Sequence, residues 1–152
     1  MGAILHDQGC TFRVWAPHAD NVRVRFARPG GHDSSTSDLR REQNGYWATD
    51  VAGVRAGDEY KFVLSAGGST IERNDPYARQ VTNSAGIGIV VDPHAFDWQD
   101  DDFELPPHNE LVIYEMHIGS FVAEDGETGR FTAALDRLAH LKRLGVNAIQ
   151  IM

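Results

Sequence analysis

The feature that most constrains this fold is a change in hydrophobic pattern near residue 93. From residue 10 to about 93, apolar and polar residues alternate in short runs that are separated by turn signals. Alternation with a period of two is typical of strands that have one buried and one solvated face. About seven such runs, with a turn signal every ~8–12 residues, predict an antiparallel β-sandwich.

The alternation also predicts which side chains face the core of the sandwich. In each run the apolar residues occupy every second position and are expected to point inward: Cys10, Phe12 and Val14; Val22, Val24 and Phe26; Tyr60, Phe62 and Leu64. Polar residues between them, such as Lys61, are then expected on the outer face.

Turn residues between the runs predict how the strands connect. We expect the run at 10–16 to form a hairpin with the run at 21–28, through a turn at 17–20. Asn44 and Gly45 predict a second hairpin, since this dipeptide favours tight turns between strands. Residues 28–38 are rich in Gly, Ser and Asp and have no apolar period, so we predict a loop there.

Beyond residue 93 the pattern indicates a different kind of structure. Residues 94–109 are acidic and contain prolines, which is typical of a linker. Residues 110–152 then contain two nearly continuous apolar runs on either side of an amphipathic segment. This order predicts a β-α-β unit, the building block of parallel sheets. The expected organisation is therefore a sandwich at 1–93, a linker at 94–109 and a β-α-β unit at 110–152.

The amphipathic segment has helix signals at both ends. Thr132 is the expected N-cap residue, and Gly145 is the expected glycine after the last turn. The second apolar run reaches Met152 without a turn signal, so we expect this chain to be part of a longer one.

Composition excludes several classes of function. The formal net charge of −8 argues against nucleic acid or an anionic membrane as a partner. A single cysteine, Cys10, excludes an intramolecular disulfide and a multi-cysteine metal site. The seven histidines show no metal-ligand spacing, and no cofactor motif is present. The N-terminal residues lack a secretory pattern, which predicts a cytoplasmic protein.

Several segments resemble, in order, the N-terminal part of α-glucan enzymes of glycoside hydrolase family 13, glycogen branching enzymes above all. The similar segments are VWAP, VRVRF, NGYWATDV, DEYKF, RNDPYAR, VDPHAFDW, VIYEMHIGSF and LAHLKRLGVNAIQIM. The resemblance covers residues 9–152. It implies an immunoglobulin-like sandwich of the carbohydrate-binding module 48 type, followed by a truncated β-α-β start of a (β/α)8 barrel.

The resemblance also implies what the chain does. Retaining enzymes of this family use two carboxylates about 5–5.5 Å apart, supplied by loops after later barrel strands. No catalytic residue can therefore be assigned here, and we expect an accessory, positioning role with α-glucan as the partner. Maltooligosyl trehalose trehalohydrolases are the alternative parent. A free-standing module that binds glycan or protein, and copies that pair through their unfinished strands, are further alternatives.

Two residues are candidates for glycan binding. Carbohydrate-binding modules of family 48 that bind glucan use two exposed tryptophans, a lysine after a strand tyrosine and an asparagine near the final strand. Lys61 matches the lysine, and the other three positions are unmatched. Trp47 follows the Asn44–Gly45 turn, where we expect it to cover the sandwich; an exposed indole there would instead stack on a sugar. Trp15 is expected to pack.

Glu115 and His117 are the polar residues inside the first apolar run of the β-α-β unit. Alternation places them on the same side of one strand, where an acid/base pair is one interpretation. The resemblance places the family's chemistry on later strands, so we interpret the pair as support inside a barrel.

Overall fold

A computed structural model describes residues 1–31, 33–83, 86–123 and 126–152. The chain divides into two compact units, residues 1–97 and 98–152. The elements of the first unit are β1 Gly2–His6, β2 Gly9–Trp15, β3 Asn21–Ala27, β4 Ser34–Asp38, β5 Arg40–Arg41, β6 Tyr46–Ala52, β7 Glu59–Ala66, β8 Ser69–Arg73, β9 Gln80–Val81 and β10 Gly88–Ile89. Those of the second are β11 Ile113–Met116, α1 Ile118–Phe121, α2 Phe131–Arg143 and β12 Ala148–Ile151.

The described strands of the first unit form two antiparallel sheets. One has the order β1-β2-β6-β5, and the other has the order β4-β3-β7-β10-β9 with β8 also paired to β7. Buried side chains from both sheets form one apolar cluster. The first unit is therefore an antiparallel β-sandwich, as the alternation predicts.

Aromatic packing joins the two sheets. The ring centroid of Phe12, in β2, lies 5.1 Å from that of Tyr60, in β7. Phe62 meets the Tyr60 ring edge-on at 6.0 Å. Edge-to-face and tilted pairs at these distances stabilise a core beyond the burial of their area. The inward positions predicted for these runs are confirmed, with Phe26 and Leu64 packed at the margin of the core.

The hairpin predicted between β2 and β3 is wrong. β2 pairs with β1 and β6, whereas β3 pairs with β4 and β7 in the opposing sheet. The segment between them turns at Ala16, whose carbonyl accepts a hydrogen bond from Ala19 N–H at 3.2 Å. Asp20 N–H then donates to Ser65 O at 2.8 Å, which leads the chain onto β7. Period-two alternation is the same for partners in one sheet and for strands in facing sheets, so it did not distinguish them.

Of two other predicted connections, one is a hairpin that the structure confirms and one is a loop that it confirms only in part. The hairpin at Asn44 and Gly45 is confirmed: β5 pairs with β6, and Asn44 has a positive φ of 59°. The loop predicted at 28–38 is wrong in its second half, because β4 pairs with β3 along its length. β4 is a polar edge strand, so it carries no apolar period that would reveal it.

The second unit is a parallel β-α-β arrangement. β11 and β12 pair in parallel, with Tyr114 opposite Ile149, and α2 lies between them in the chain. Gly145 has a φ of +86° directly after the helix, as predicted for a C-terminal glycine. The predicted N-cap at Thr132 is wrong. Arg130 caps the helix, because its carbonyl already accepts bonds from Ala133 and Ala134 N–H.

An ion pair fixes the rim of the sandwich where β3 ends and β7 begins. The Asp58 carboxylate is buried and accepts two bonds from Arg28 Nη1, at 2.8 and 2.9 Å. Arg55 N–H donates to the same carboxylate at 2.9 Å. Val90 N–H bonds to the Asp58 carbonyl at 2.9 Å, so this residue holds three segments together.

The Arg28→Ala substitution should therefore destabilise the sandwich. It leaves a buried carboxylate without its charged partner, and we expect the free energy of unfolding to fall by about 2 kcal/mol. Urea denaturation measures this change. Arg25→Ala is the matched control, because its pair with Glu72 is exposed and should contribute less than about 1 kcal/mol. Equal losses in both variants would contradict the role of Asp58.

Alkaline pH should also destabilise the sandwich, through two buried acids. Burial raises the pKa of the Cys10 thiol to about 12, from an ordinary 9.0. Burial and the hydrogen bond to Asp75 raise the pKa of Tyr60 above its ordinary 10.0. Above these ordinary values the unfolded chain loses protons that the folded chain retains. The free energy of unfolding should then fall by about 1.4 kcal/mol per pH unit for each group.

Urea denaturation between pH 8 and pH 11 tests this expectation. Cys10→Ala removes one of the two ionisations, so its stability should decline less steeply than that of the parent chain. A parent stability that does not change over this range would contradict the prediction.

Candidate functional site

Lys61 lies on the outer face of the six-stranded sheet, as its position in the alternation predicts. It is half-buried in β7, opposite Arg25 of β3. Its neighbours Tyr60 and Phe62 point into the core and fix the strand beneath it. Among the described residues, Lys61 forms no ion pair. Lys61 thus stands on a strand that the core fixes, and its ammonium donors are available to a ligand.

A small pocket of about 120 Å³ adjoins Lys61. Arg25, Glu59 and Ser34 contribute its polar lining. The two aromatic residues in the lining, Phe26 and Tyr60, are part of the sandwich core or packed against it. The pocket offers charged donors and a carboxylate acceptor to a polyhydroxyl ligand, whereas the aromatic rings beside it are engaged in packing.

The structure corrects the sugar-stacking alternative for Trp47. Only 5% of this residue is exposed, and it belongs to the sandwich core. Its Nε1–H donates to the Ala16 carbonyl at 3.0 Å, and the Arg41 guanidinium lies 5.6 Å from the ring centroid. With its ring covered in this way, Trp47 packs in the core of the sandwich, as its expected covering role implies.

Trp15 is exposed, although the sequence predicts that it packs. At the end of β2, 57% of this residue is accessible to solvent. Its Nε1–H donates to the Asn44 carbonyl at 3.0 Å, so the indole is held by one edge. The alternation did indicate this exposure, because Trp15 has the parity of Thr11 and Arg13 rather than that of the buried residues.

The buried carboxylates of the described residues, Asp58 and Asp75, are structural. Asp58 binds Arg28, as described above. Asp75 accepts a bond from the Tyr60 hydroxyl at 2.7 Å and another from Tyr77 N–H at 2.9 Å. Each carboxylate accepts hydrogen bonds on both of its oxygens from donors inside the sandwich, and these bonds give it a structural role.

In the part of the chain that the structure describes, no group of three His, Cys, Asp or Glu side chains could hold a metal ion. His32, one of the seven histidines, lies outside those residues.

Glu115 and His117 are both exposed. Glu115 lies in β11 opposite Gln150, and His117 follows the end of that strand as the residue that caps α1. His117 Nδ1 lies 3.5 Å from Ser120 Oγ. Within the described ranges, no hydrogen bond or ion pair joins Glu115 to His117. The strand is thus shorter than predicted, and the two residues do not form an acid/base pair.

The described helices include none that is long and apolar enough to cross a membrane.

Comparison with known proteins identifies relatives of both units. The chain is 34% identical over 153 residues to a malto-oligosyltrehalose trehalohydrolase from Saccharolobus solfataricus, covering 100% of this chain and 25% of that protein. It is 33% identical over 150 residues to a 1,4-alpha-glucan branching enzyme GlgB from Picrophilus torridus, covering 95% of this chain and 21% of that one. The chain thus spans about a quarter of the length of the curated relatives it matches.

A solved structure shares the fold. Pullulanase type I from Bacillus subtilis, crystallised with maltose, matches 99% of this chain and 23% of its own, with a TM-score of 0.79 and 26% identity. Together these matches confirm the resemblance to α-glucan enzymes of glycoside hydrolase family 13. The model of carbohydrate-binding module 48, the isoamylase N-terminal domain, matches residues 1–78. With this match over the sandwich, the chain belongs to the carbohydrate-binding module 48 family.

Proposed function

We propose that this chain is the N-terminal, sandwich-bearing part of a cytoplasmic α-1,4-glucan-active enzyme, most like a glycogen branching enzyme. The observation that carries the proposal is the extent of the matches, which include 95–100% of the chain but only 21–25% of each relative named above. In such an enzyme, α-1,4 links are cleaved and the oligoglucan is transferred to an O6 position. The chain described here contributes positioning of the glucan rather than bond cleavage.

Trehalohydrolase is the second candidate for the whole enzyme. The 34% identity to the Saccharolobus solfataricus protein over the full chain favours it. The two enzymes differ in whether a sugar hydroxyl or water accepts the glucan. Both candidates assign the same role to the sandwich, because each must hold a long α-glucan.

The organisation proposed for the chain has three parts. Residues 1–93 are an immunoglobulin-like sandwich, 94–109 a linker, and 110–152 the first strand, helix and second strand of a (β/α)8 barrel. The parallel pairing of β11 with β12 and the intervening helix α2 support the barrel assignment. The division of the chain into compact units at residue 97 supports a boundary in the linker.

Lys61 is the residue that we assign to glucan contact on the six-stranded sheet. Its ammonium group donates to sugar hydroxyls, and Glu59 beside it accepts from them. The half-buried position supports this role, since a half-buried lysine has less side-chain entropy to lose on binding than a fully exposed one.

Lys61→Ala should weaken binding to glycogen about tenfold, the loss that corresponds to one hydrogen bond to a charged group. Affinity electrophoresis of the 152-residue chain in gels with and without glycogen measures the change. Lys142→Ala is the matched control, because it removes the same charge from α2 in the other unit. Equal retardation of both variants and the parent chain would exclude Lys61 from the contact.

A further inference from the structure

A polar cleft lies on the outer face of the four-stranded sheet. Ala48 forms its floor, because this small side chain stands in β6 directly between Arg13 of β2 and Arg40 of β5. Glu42 and Asp50 complete the walls. We call this feature the Ala48 cleft; its volume is about 460 Å³.

The walls of the Ala48 cleft contain both hydrogen-bond donors and acceptors. Arg13 Nε bonds to Glu42 Oε2 at 2.8 Å, and its guanidinium lies 4.4 Å from the centroid of the Tyr46 ring. The bond to Glu42 occupies the Nε edge of the Arg13 guanidinium, and the Tyr46 ring covers one of its faces. No hydrogen bond to the Nη atoms of Arg13, or to the Arg40 side chain, occurs among the described residues. Two guanidinium groups therefore have N–H donors free for a ligand.

Trp15 stands at one end of the same face. It is the cross-strand neighbour of Tyr46, as Arg13 is of Ala48 and Thr11 is of Asp50. These pairs succeed one another at every second residue along the two strands. The distance from Trp15 to Thr11 is about 13 Å at the usual strand rise, so the face is longer than one sugar ring.

The indole of Trp15 is held rigidly in spite of its exposure. Besides the bond from Nε1 to Asn44, it lies against the turn at Gly45. A Cβ at Gly45 would lie 2.6 Å from Pro17 Cβ and 3.3 Å from Trp15 Nε1, so glycine allows the close approach. A fixed, exposed aromatic ring binds a flat apolar surface at little entropic cost.

We propose that this face, from Trp15 to the Ala48 cleft, is a second binding site for a neutral oligosaccharide, independent of Lys61. The indole stacks on the C–H face of one sugar ring, and the arginines and carboxylates bond to the hydroxyls of the next. Lys61 lies on the other sheet, whose outer face points away from this one. The site thus goes beyond the function proposed above.

The charges of the Ala48 cleft favour a neutral ligand. Arg13 and Arg40 balance Glu42 and Asp50, so a polyanion would gain from two groups and be repelled by two. A sugar bonds through hydroxyls that donate and accept equally, which matches both kinds of wall group.

Affinity electrophoresis of the full chain in glycogen gels tests the proposal, with two variants that leave the net charge unchanged. Trp15→Ala removes the stacking surface, and Ala48→Gln fills the floor of the cleft without touching the indole. We expect each variant to bind glycogen about tenfold more weakly, which the gels report as a loss of retardation. Trp98→Ala is the control, because it removes another exposed tryptophan, one in the second unit. It should behave as the parent chain does.

Thermal unfolding of each variant accompanies the gels, and a variant that melts as the parent does reports on binding alone. Unchanged retardation of Trp15→Ala and Ala48→Gln would overturn the proposal, and so would an effect of only one of them. The Lys61→Ala variant separates the two sites. If it alone weakens binding, only the Lys61 assignment stands; if the other two alone weaken it, only the second site stands. A parent chain that is not retarded overturns both.

Discussion

The sandwich depends on Tyr60, which ties together three parts of the first unit. Its ring packs on Phe12 of the opposing sheet, and its hydroxyl holds Asp75 in the turn that follows β8. β7, which carries Tyr60, pairs with β3, β8 and β10. Core packing, strand pairing and the position of a distant turn therefore meet at one side chain. The outer faces can vary in chemistry because the inner faces are secured in this way.

Much of this fold could be predicted from the sequence because burial enforces alternation. Cys10, Phe12 and Val14 point inward for the reason that the pattern implies. Alternation carries no information about which strand is the partner, so β2 and β3 were joined in a false hairpin. β4 shows no such pattern for a related reason: an edge strand of Ser, Thr and Asp residues has no apolar side chain to bury, and its pairing rests on backbone hydrogen bonds.

Of the candidate sites, the positions of single residues could be predicted from the sequence, but the cleft could not. Lys61 could be assigned to an outer face because it stands between Tyr60 and Phe62. For the two tryptophans, position in the alternation predicts exposure better than residue type does. Trp47 has the parity of the buried residue Val51, and Trp15 has that of the solvated residue Arg13, so their exposures follow from alternation. The Ala48 cleft could not be predicted, because it needs the register of β6 against β2 and β5.

The chain carries a net charge of −8, yet neither outer face concentrates charge of one sign. Arg25 and Lys61 lie beside Glu59 on one face, and Arg13 and Arg40 beside Glu42 and Asp50 on the other. Binding a polyanion would require clustered cations, which these interleaved carboxylates prevent. A polyhydroxyl ligand uses donors and acceptors together, and it does not depend on net charge. The same distribution that disfavours nucleic acid is therefore suited to a sugar polymer on either side of the sandwich.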